Sequence, residues 1–251
     1  MKPKIKISVL TIFPEMFRTL TDFGVFKRAL DNGIIEFEAV NLRDYTHDRH
    51  KITDIPGYGP GPGMVMKPEP FFEYYEEYEK KNNKKPYTVI LSPQGRPFNN
   101  EISSELSKKE DILFFCGRYE GPDERVYNIC DDEISVGDFV VTGGEIPAMI
   151  IIDSLSRFIP GVVGDSESVE NDSFFNGLLD YSVYTKPYEY KNYKVPDILL
   201  SGNHKKIESF RKKESIIKTI LKRPDLFIKK DFSSEEKKEI VEIIREMFKD
   251  A

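Results

Sequence analysis

The chain has no tryptophan and only two cysteines, Cys116 and Cys130. Two thiols without metal-ligand spacing exclude a disulfide framework and a cysteine-based zinc site. Cys116 closes an apolar run, where a thiol serves as a packing group rather than a nucleophile. No apolar stretch approaches the ~20 residues that span a bilayer, so no membrane partner is expected. The start, Met1-Lys2-Pro3-Lys4-Ile5, lacks the apolar core and small-residue cleavage site of a secretory leader, so a cytoplasmic protein is expected. Neither a P-loop nor a GxGxxG fingerprint is present, which sets aside triphosphate and ordinary dinucleotide sites.

What is present describes a packed protein. Apolar residues make up 39% of the 251-residue chain and aromatic residues 12%, a content that disordered chains lack. The length suits one α/β domain followed by a small helical one. The net charge of −6 argues at first against a nucleic-acid partner. Its distribution does not. Residues 204–223 hold eight Lys or Arg against Glu208 and Glu214, a local charge of +6 that leaves −12 for the rest of the chain. On charge alone, such a run ordinarily marks a solvated helix face. It is also what a phosphate-binding helix on an acidic body looks like.

Ile- and Val-rich segments alternate with helical patterns. Residues 4–13 read as a strand. Pro14-Glu15 opens a helix that Gly33 ends, and residues 34–40 form a second strand. Residues 43–66 read as one long loop with Gly57, Gly59, Gly61 and Gly63 among prolines. A helix at 68–81, a strand at 87–91, a helix at 99–109 and a strand at 112–116 follow. Residues 134–141 read as short strand pieces and 144–158 as a buried helix. The alternation predicts a parallel-sheet α/β domain over 1–163. A Ser-, Asp- and Glu-rich linker occupies 164–176 and a helical domain 177–251, with helices near 205–222 and 234–249. Ser233-Ser234-Glu235-Glu236 has the composition of a helix start.

Three glycine-bearing loops follow strands of the first domain. They are Ser92-Pro93-Gln94-Gly95, Gly117-Arg118-Tyr119-Glu120-Gly121, and the stretch from Val136-Gly137-Asp138 to Thr142-Gly143-Gly144. Ligands of parallel sheets bind at the carboxyl ends of the strands, and glycine lets backbone groups approach them closely. One such loop is a tight turn and nothing more; three in series point to a pocket for an adenine-containing cofactor. Glu120 and Asp138 would repel a polyphosphate there but tolerate a cationic ligand.

The segments FPEMF (13–17), RDYTHDRH (43–50), GPGMVM (61–66), LSPQGRPF (91–98), CGRYEGPDERV (116–126) and GDFVVTGGEIPAMIIIDSLSRFIPGV (137–162) resemble the bacterial tRNA (guanine-N1)-methyltransferases, the TrmD family. LLDYSVYTKP (178–187) and LLSGNH (199–204) continue the match in the same order. The resemblance implies a SPOUT-class α/β domain with a deep trefoil knot, a helical second domain, and a homodimer whose active site is shared between subunits. It implies methylation of guanosine 37 of tRNA, beside the anticodon, from S-adenosylmethionine, with Mg²⁺ possible as a second cofactor. It places Gly117, Val136, Gly137, Asp138, Phe139, Val140 and Val141 along the S-adenosylmethionine pocket. Pro93, Gln94, Tyr119, Glu120, Gly143, Gly144 and Pro147 border it.

Guanine N1 carries a proton at neutral pH, so its methylation needs a base and a donor that stabilises charge on O6. The resemblance assigns these roles to Asp172 and Arg157. Read from sequence alone, Asp172 is also a linker acid or a helix cap, and Arg157 a helix-end cation. The resemblance gives Arg43, Arg49, His50, Gly61, Ser201, Asn203, His204 and Arg211 to tRNA, with Lys205, Lys206, Lys212 and Lys213 as further backbone contacts. His47-Asp48-Arg49-His50 fits a metal site only weakly and reads as an RNA-contacting loop. The chain departs from the family pattern at Pro60, where another glycine is usual. It departs again at Phe210, where tryptophan is common. Proline removes an N–H, so a target-base contact through that backbone group is not available. Rival readings are a SPOUT enzyme acting on ribosomal RNA, a non-catalytic RNA-binding protein and a small-molecule enzyme. The first does not account for matches in the second domain, the second needs no base, and the third needs no basic segment at 204–223.

Overall fold

Ile5–Thr11 forms strand β1, and its side chains are buried on both faces. Ile5, Ile7 and Val9 join one apolar cluster, while Leu10 joins another on the opposite face. Strands buried on both sides usually read as continuous apolar runs, but here Ser8 and Thr11 are buried polar residues within β1. The computed structural model describes residues 4–164 and 171–247; residues 1–3, 165–170 and 248–251 lie outside the described residues. Residues 165–170 of the expected linker over 164–176 therefore lie outside the described residues.

The chain divides into two compact units, Met1–Gly164 and Asp165–Ala251. In the first, β1 pairs with β2 (Ile35–Asn41) and β6 (Asp111–Phe115), and β5 (Tyr87–Pro97) pairs with β6 and β7 (Asp132–Ser135). All four pairings are parallel, in the order β2-β1-β6-β5-β7. One face packs on α2 (Gly24–Asp31), α4 (Asn100–Leu106) and α5 (Glu145–Ser156). The other packs on α3 (Pro68–Asn82) through Phe71, Tyr74 and Tyr78. The expected α/β class with a parallel sheet is what the chain forms.

Several local expectations change. The helix expected to run from Pro14 to Gly33 breaks into a 3-10 turn, a four-residue α1 (Arg18–Thr21) and α2. The long loop contains a hairpin, β3 (Asp54–Pro56) against β4 (Met64–Met66), so only 57–63 is its tip. Ser92-Pro93-Gln94-Gly95 is a bulge inside β5 rather than a loop after it. Leu91 and Arg96 both pair with Ile134, so the residues between them are pushed out of the ladder. Arg96 locks the far side, donating to Asp132 at 2.6 Å and to Glu105 at 3.1 Å. Of residues 134–141, expected to be strand pieces, 134 and 135 end β7 and 136–141 have no regular structure.

In the second unit a small hairpin, β8 (Glu189–Tyr190) and β9 (Tyr193–Lys194), precedes α6 (His204–Lys222), α7 (Pro224–Lys229) and α8 (Ser234–Met247). Leu178, Ile216, Ile240 and Ile243 form its core. The expected start of α8 is a reciprocal cap: the Glu236 N–H donates to Ser233 Oγ, and the Ser233 N–H donates to the Glu236 carboxylate. Among the described residues, no helix is long and apolar enough to cross a membrane.

Candidate functional site

Strands β6 and β7 end beside the bulge of β5, and the three glycine-bearing segments converge there. They enclose a cavity of about 270 Å³. Its wall includes Pro93 and Gln94 from the β5 bulge, Gly117, Tyr119 and Glu120 after β6, and Val136, Phe139, Val140 and Val141 after β7. Gly143, Gly144 and Pro147 close it at the start of α5. A position at the carboxyl ends of adjacent parallel strands is where such sheets bind ligands.

Local chemistry explains the wall. Gly95 sits so close to the next strand that a Cβ would meet the Glu133 and Ile134 backbone at 2.5 Å. A Cβ on Gly144 would lie 2.8 Å from Cys116 Cα, and its N–H donates to the Gly117 carbonyl at 2.8 Å. Tyr119 holds a left-handed backbone, φ +60°, a conformation that costs free energy and tends to be kept at ligand sites. The wall therefore combines glycines and apolar side chains with polar ones, among them Gln94, Arg118 and the exposed carboxylate of Glu120.

Arg118 of that wall belongs to a pair that sequence reasoning missed. The Glu145 carboxylate, wholly buried, accepts from Arg118 Nε at 2.9 Å and from the Thr11 hydroxyl at 2.7 Å. The Arg118 guanidinium lies 4.7 Å from the Phe13 ring centre, and its backbone N–H points at Met66 Sδ. One signal was available: Glu145 is a lone acid at the head of an otherwise apolar segment.

Two residues expected on the pocket do not line it. Gly137 turns at φ +148°, and a Cβ there would strike the Phe139 ring at 2.7 Å. Phe139 folds back over the turn, leaving Asp138 exposed outside the cavity lining. Arg157 is the exposed C-cap of α5, also outside that lining. It ends a stripe of exposed positions, Ile146, Ile150, Asp153 and Arg157, spaced along one side of the helix.

Asp172 belongs to the second unit, where it lines a cavity of about 530 Å³ with His204, Arg211 and Tyr181. Arg211 lies 4.6 Å from the centre of the Tyr181 ring, a cation–π contact. Asn203 caps α6, accepting from the Lys206 N–H at 3.2 Å, and Ser201 accepts from the Asn203 N–H. The basic run is less open than its count suggests. Lys212, Lys213 and Arg223 pair with Glu239, Glu246 and Asp225.

Arg43, Arg49, His50 and Gly61 lie in the first unit and do not line its cavity. Arg43 donates to the Lys51 carbonyl. Arg49 and His50 are exposed on a turn organised by Asp48. Slight desolvation raises the Asp48 pKa, but N–H donors from Ile52 and His50 outweigh it and hold this carboxylate below its ordinary range. Gly61 is exposed at the hairpin tip. His47 is engaged by Glu73 at 2.7 Å rather than by His50. Among the described residues no group of three or more His, Cys, Asp or Glu side chains is placed to hold a metal.

Comparison with known proteins adds the following. The sequence model of a family described as tRNA (Guanine-1)-methyltransferase TrmD matches residues 5–229. A tRNA (guanine-N(1)-)-methyltransferase of Thermotoga petrophila is 58% identical over 97% of this chain and 98% of its own length. Proteins of the same name from Thermosipho africanus and Dictyoglomus turgidum are 54% and 48% identical, covering 98% and 97% of this chain and 99% and 98% of their own lengths.

Proposed function

From the premise that the chain belongs to the tRNA (guanine-1)-methyltransferase family, TrmD, we propose a division of labour among its residues. The protein is an enzyme that methylates N1 of a guanosine in tRNA with S-adenosylmethionine as donor. The observation that carries the reading is the convergence of three glycine-bearing segments, at the β5 bulge and the ends of β6 and β7, on one cavity. The cavity suits S-adenosylmethionine: its wall combines glycines with apolar side chains, and an exposed carboxylate tolerates a cation. When bound, this group supplies an electrophilic methyl. Pro93, Gln94, Gly117, Tyr119, Gly143, Gly144 and Pro147 hold it, and Val136 to Val141 close the β7 side. Gly137 contributes there by turning the chain and Asp138 only through its neighbours.

The target we propose is guanosine 37. Asp172 removes the N1 proton, and Arg157 stabilises the negative charge that gathers on O6. Arg211, His204, Ser201 and Asn203, with Lys205 and Lys206, hold the RNA backbone. Arg43, Arg49, His50 and Gly61 contact it from the first unit. Phosphate contacts of this kind position the RNA without reading its sequence. The trefoil knot belongs to this reading through the family alone. So do the cytoplasmic location and the separate linker over 164–176. A magnesium requirement likewise belongs to this reading through the family alone.

We also propose the homodimer with a shared active site. Ile146 and Ile150, 44% and 46% exposed, lie on the same side of α5 as Arg157. A subunit contact there covers apolar surface beside the residue assigned to O6.

The test uses labelled S-adenosylmethionine and tRNA transcripts that carry guanosine or adenosine at position 37. Label in the guanosine transcript alone supports the target. Equal labelling of both rejects it.

A further inference from the structure

Arg118 and Glu145 tie together the segments that enclose the methyl-donor cavity. Glu145 is the first residue of α5, where a negative charge is favoured by the helix N-terminus. Its carboxylate is fully buried and has two donors, Arg118 from the turn after β6 and Thr11 from the end of β1. The Arg118 backbone bridges that of Gly143, and the Gly144 N–H binds the Gly117 carbonyl. The glycine turn is moulded onto the arginine side chain. A Cβ on Gly143 would lie 2.3 Å from Arg118 Nε.

Stability alone does not explain such a pair. Replacing a buried ion pair by apolar groups of like volume is often neutral or favourable, because desolvation offsets the attraction. What the pair supplies is direction. A planar guanidinium and a carboxylate anchored at a helix start allow few relative positions of the two loops. An apolar pair in the same space would leave them freer to slide.

We propose that Arg118 and Glu145 are positioning residues, a buried ion pair that fixes the 117–121 and 142–144 turns so that the donor cavity is formed before the donor arrives. The inference rests on the reading of that cavity as the S-adenosylmethionine site. Neither residue need touch the reacting atoms.

The test is the double variant Arg118→Met, Glu145→Gln, which removes both charges at similar volume and strands neither. Amide hydrogen exchange of residues 117–121 and 142–144, with no ligand present, is expected to quicken at least about tenfold relative to the wild type. The KM for S-adenosylmethionine is expected to rise at least about tenfold, with kcat at saturation within about threefold. Arg118→Lys, which keeps the charge but loses the planar guanidinium, should fall between. A folded double variant with native exchange and native KM overturns the proposal. If the wild type neither binds S-adenosylhomocysteine nor transfers a methyl, the cavity reading fails, and exchange still decides whether the pair orders the turns. Should the double variant not fold, Arg118→Lys alone is read in the same exchange experiment: faster exchange in both turns supports the proposal, and native exchange overturns it.

Discussion

Gly144 donates its backbone N–H to the carbonyl of Gly117 at 2.8 Å, joining the turn after β6 to the start of α5. Two of the three segments around the cavity thus meet through this bond beside the Arg118–Gly143 bridge. It forms only because nothing stands between Gly144 and the Cys116 backbone. Gly144→Ala places a Cβ 2.8 Å from Cys116 Cα, closer than carbon atoms pack, so one turn must move. Titration calorimetry with S-adenosylhomocysteine should show affinity falling by about tenfold or more, which is ~1.4 kcal/mol. Native affinity would mean that this junction does not shape the cavity.

The two thiols should be inert in the folded protein. Burial pushes the Cys116 thiol well above its ordinary value, and the charge of Glu145 adds to this. Burial likewise raises Cys130, to about 12. A raised thiol pKa means little thiolate, the reactive form, near neutral pH. Alkylation by iodoacetamide at about pH 8 should be negligible until denaturant is added, although an ordinary cysteine with a pKa of about 8.5 reacts there. Rapid labelling of either residue in the native state would contradict the packing described.

Ser233 and Glu236 cap α8 reciprocally. Ser233→Ala removes one acceptor from the first turn and should lower the stability of the second unit by ~1 kcal/mol. Urea denaturation followed by circular dichroism checks this. An unchanged midpoint would show that the cap contributes nothing measurable.

The exposed side of α5 carries the dimer proposal. Ile150→Glu places a charge amid the apolar surface that a partner would cover. Sedimentation at micromolar protein should then find monomers where the wild type gives dimers. A variant that remains dimeric puts the interface elsewhere.

Much of this architecture is legible in the sequence because local signals suffice for it. Ile5, Ile7, Val9 and Leu10 announce a strand, and Pro68 opens α3. What is not legible depends on distant partners. Pro93 and Gly95 look like loop residues, yet β7 and the Arg96–Asp132 pair keep that stretch inside a strand. The three-residue strands 54–56 and 64–66 are too short to show an alternation, and only their mutual pairing defines them. In the site, the glycine turns advertise themselves, but Thr11 and Glu145 are 134 residues apart in sequence. No local pattern joins them. The placement of Phe139 over Gly137, which leaves Asp138 outside the cavity lining, is likewise a product of packing.

The most direct test of the account is the single-turnover methylation rate of wild type and Asp172→Asn on a guanosine-37 tRNA, followed across pH with saturating donor. Asparagine keeps the size of the side chain but cannot accept the N1 proton. The expected result is a loss of about 10²–10⁴-fold near neutral pH, the usual worth of a general base. Binding of tRNA and donor should be nearly unchanged, and the variant's residual rate should climb as hydroxide takes over the proton. A variant that turns over at the wild-type rate across the same pH range would contradict the assignment of Asp172 as the base.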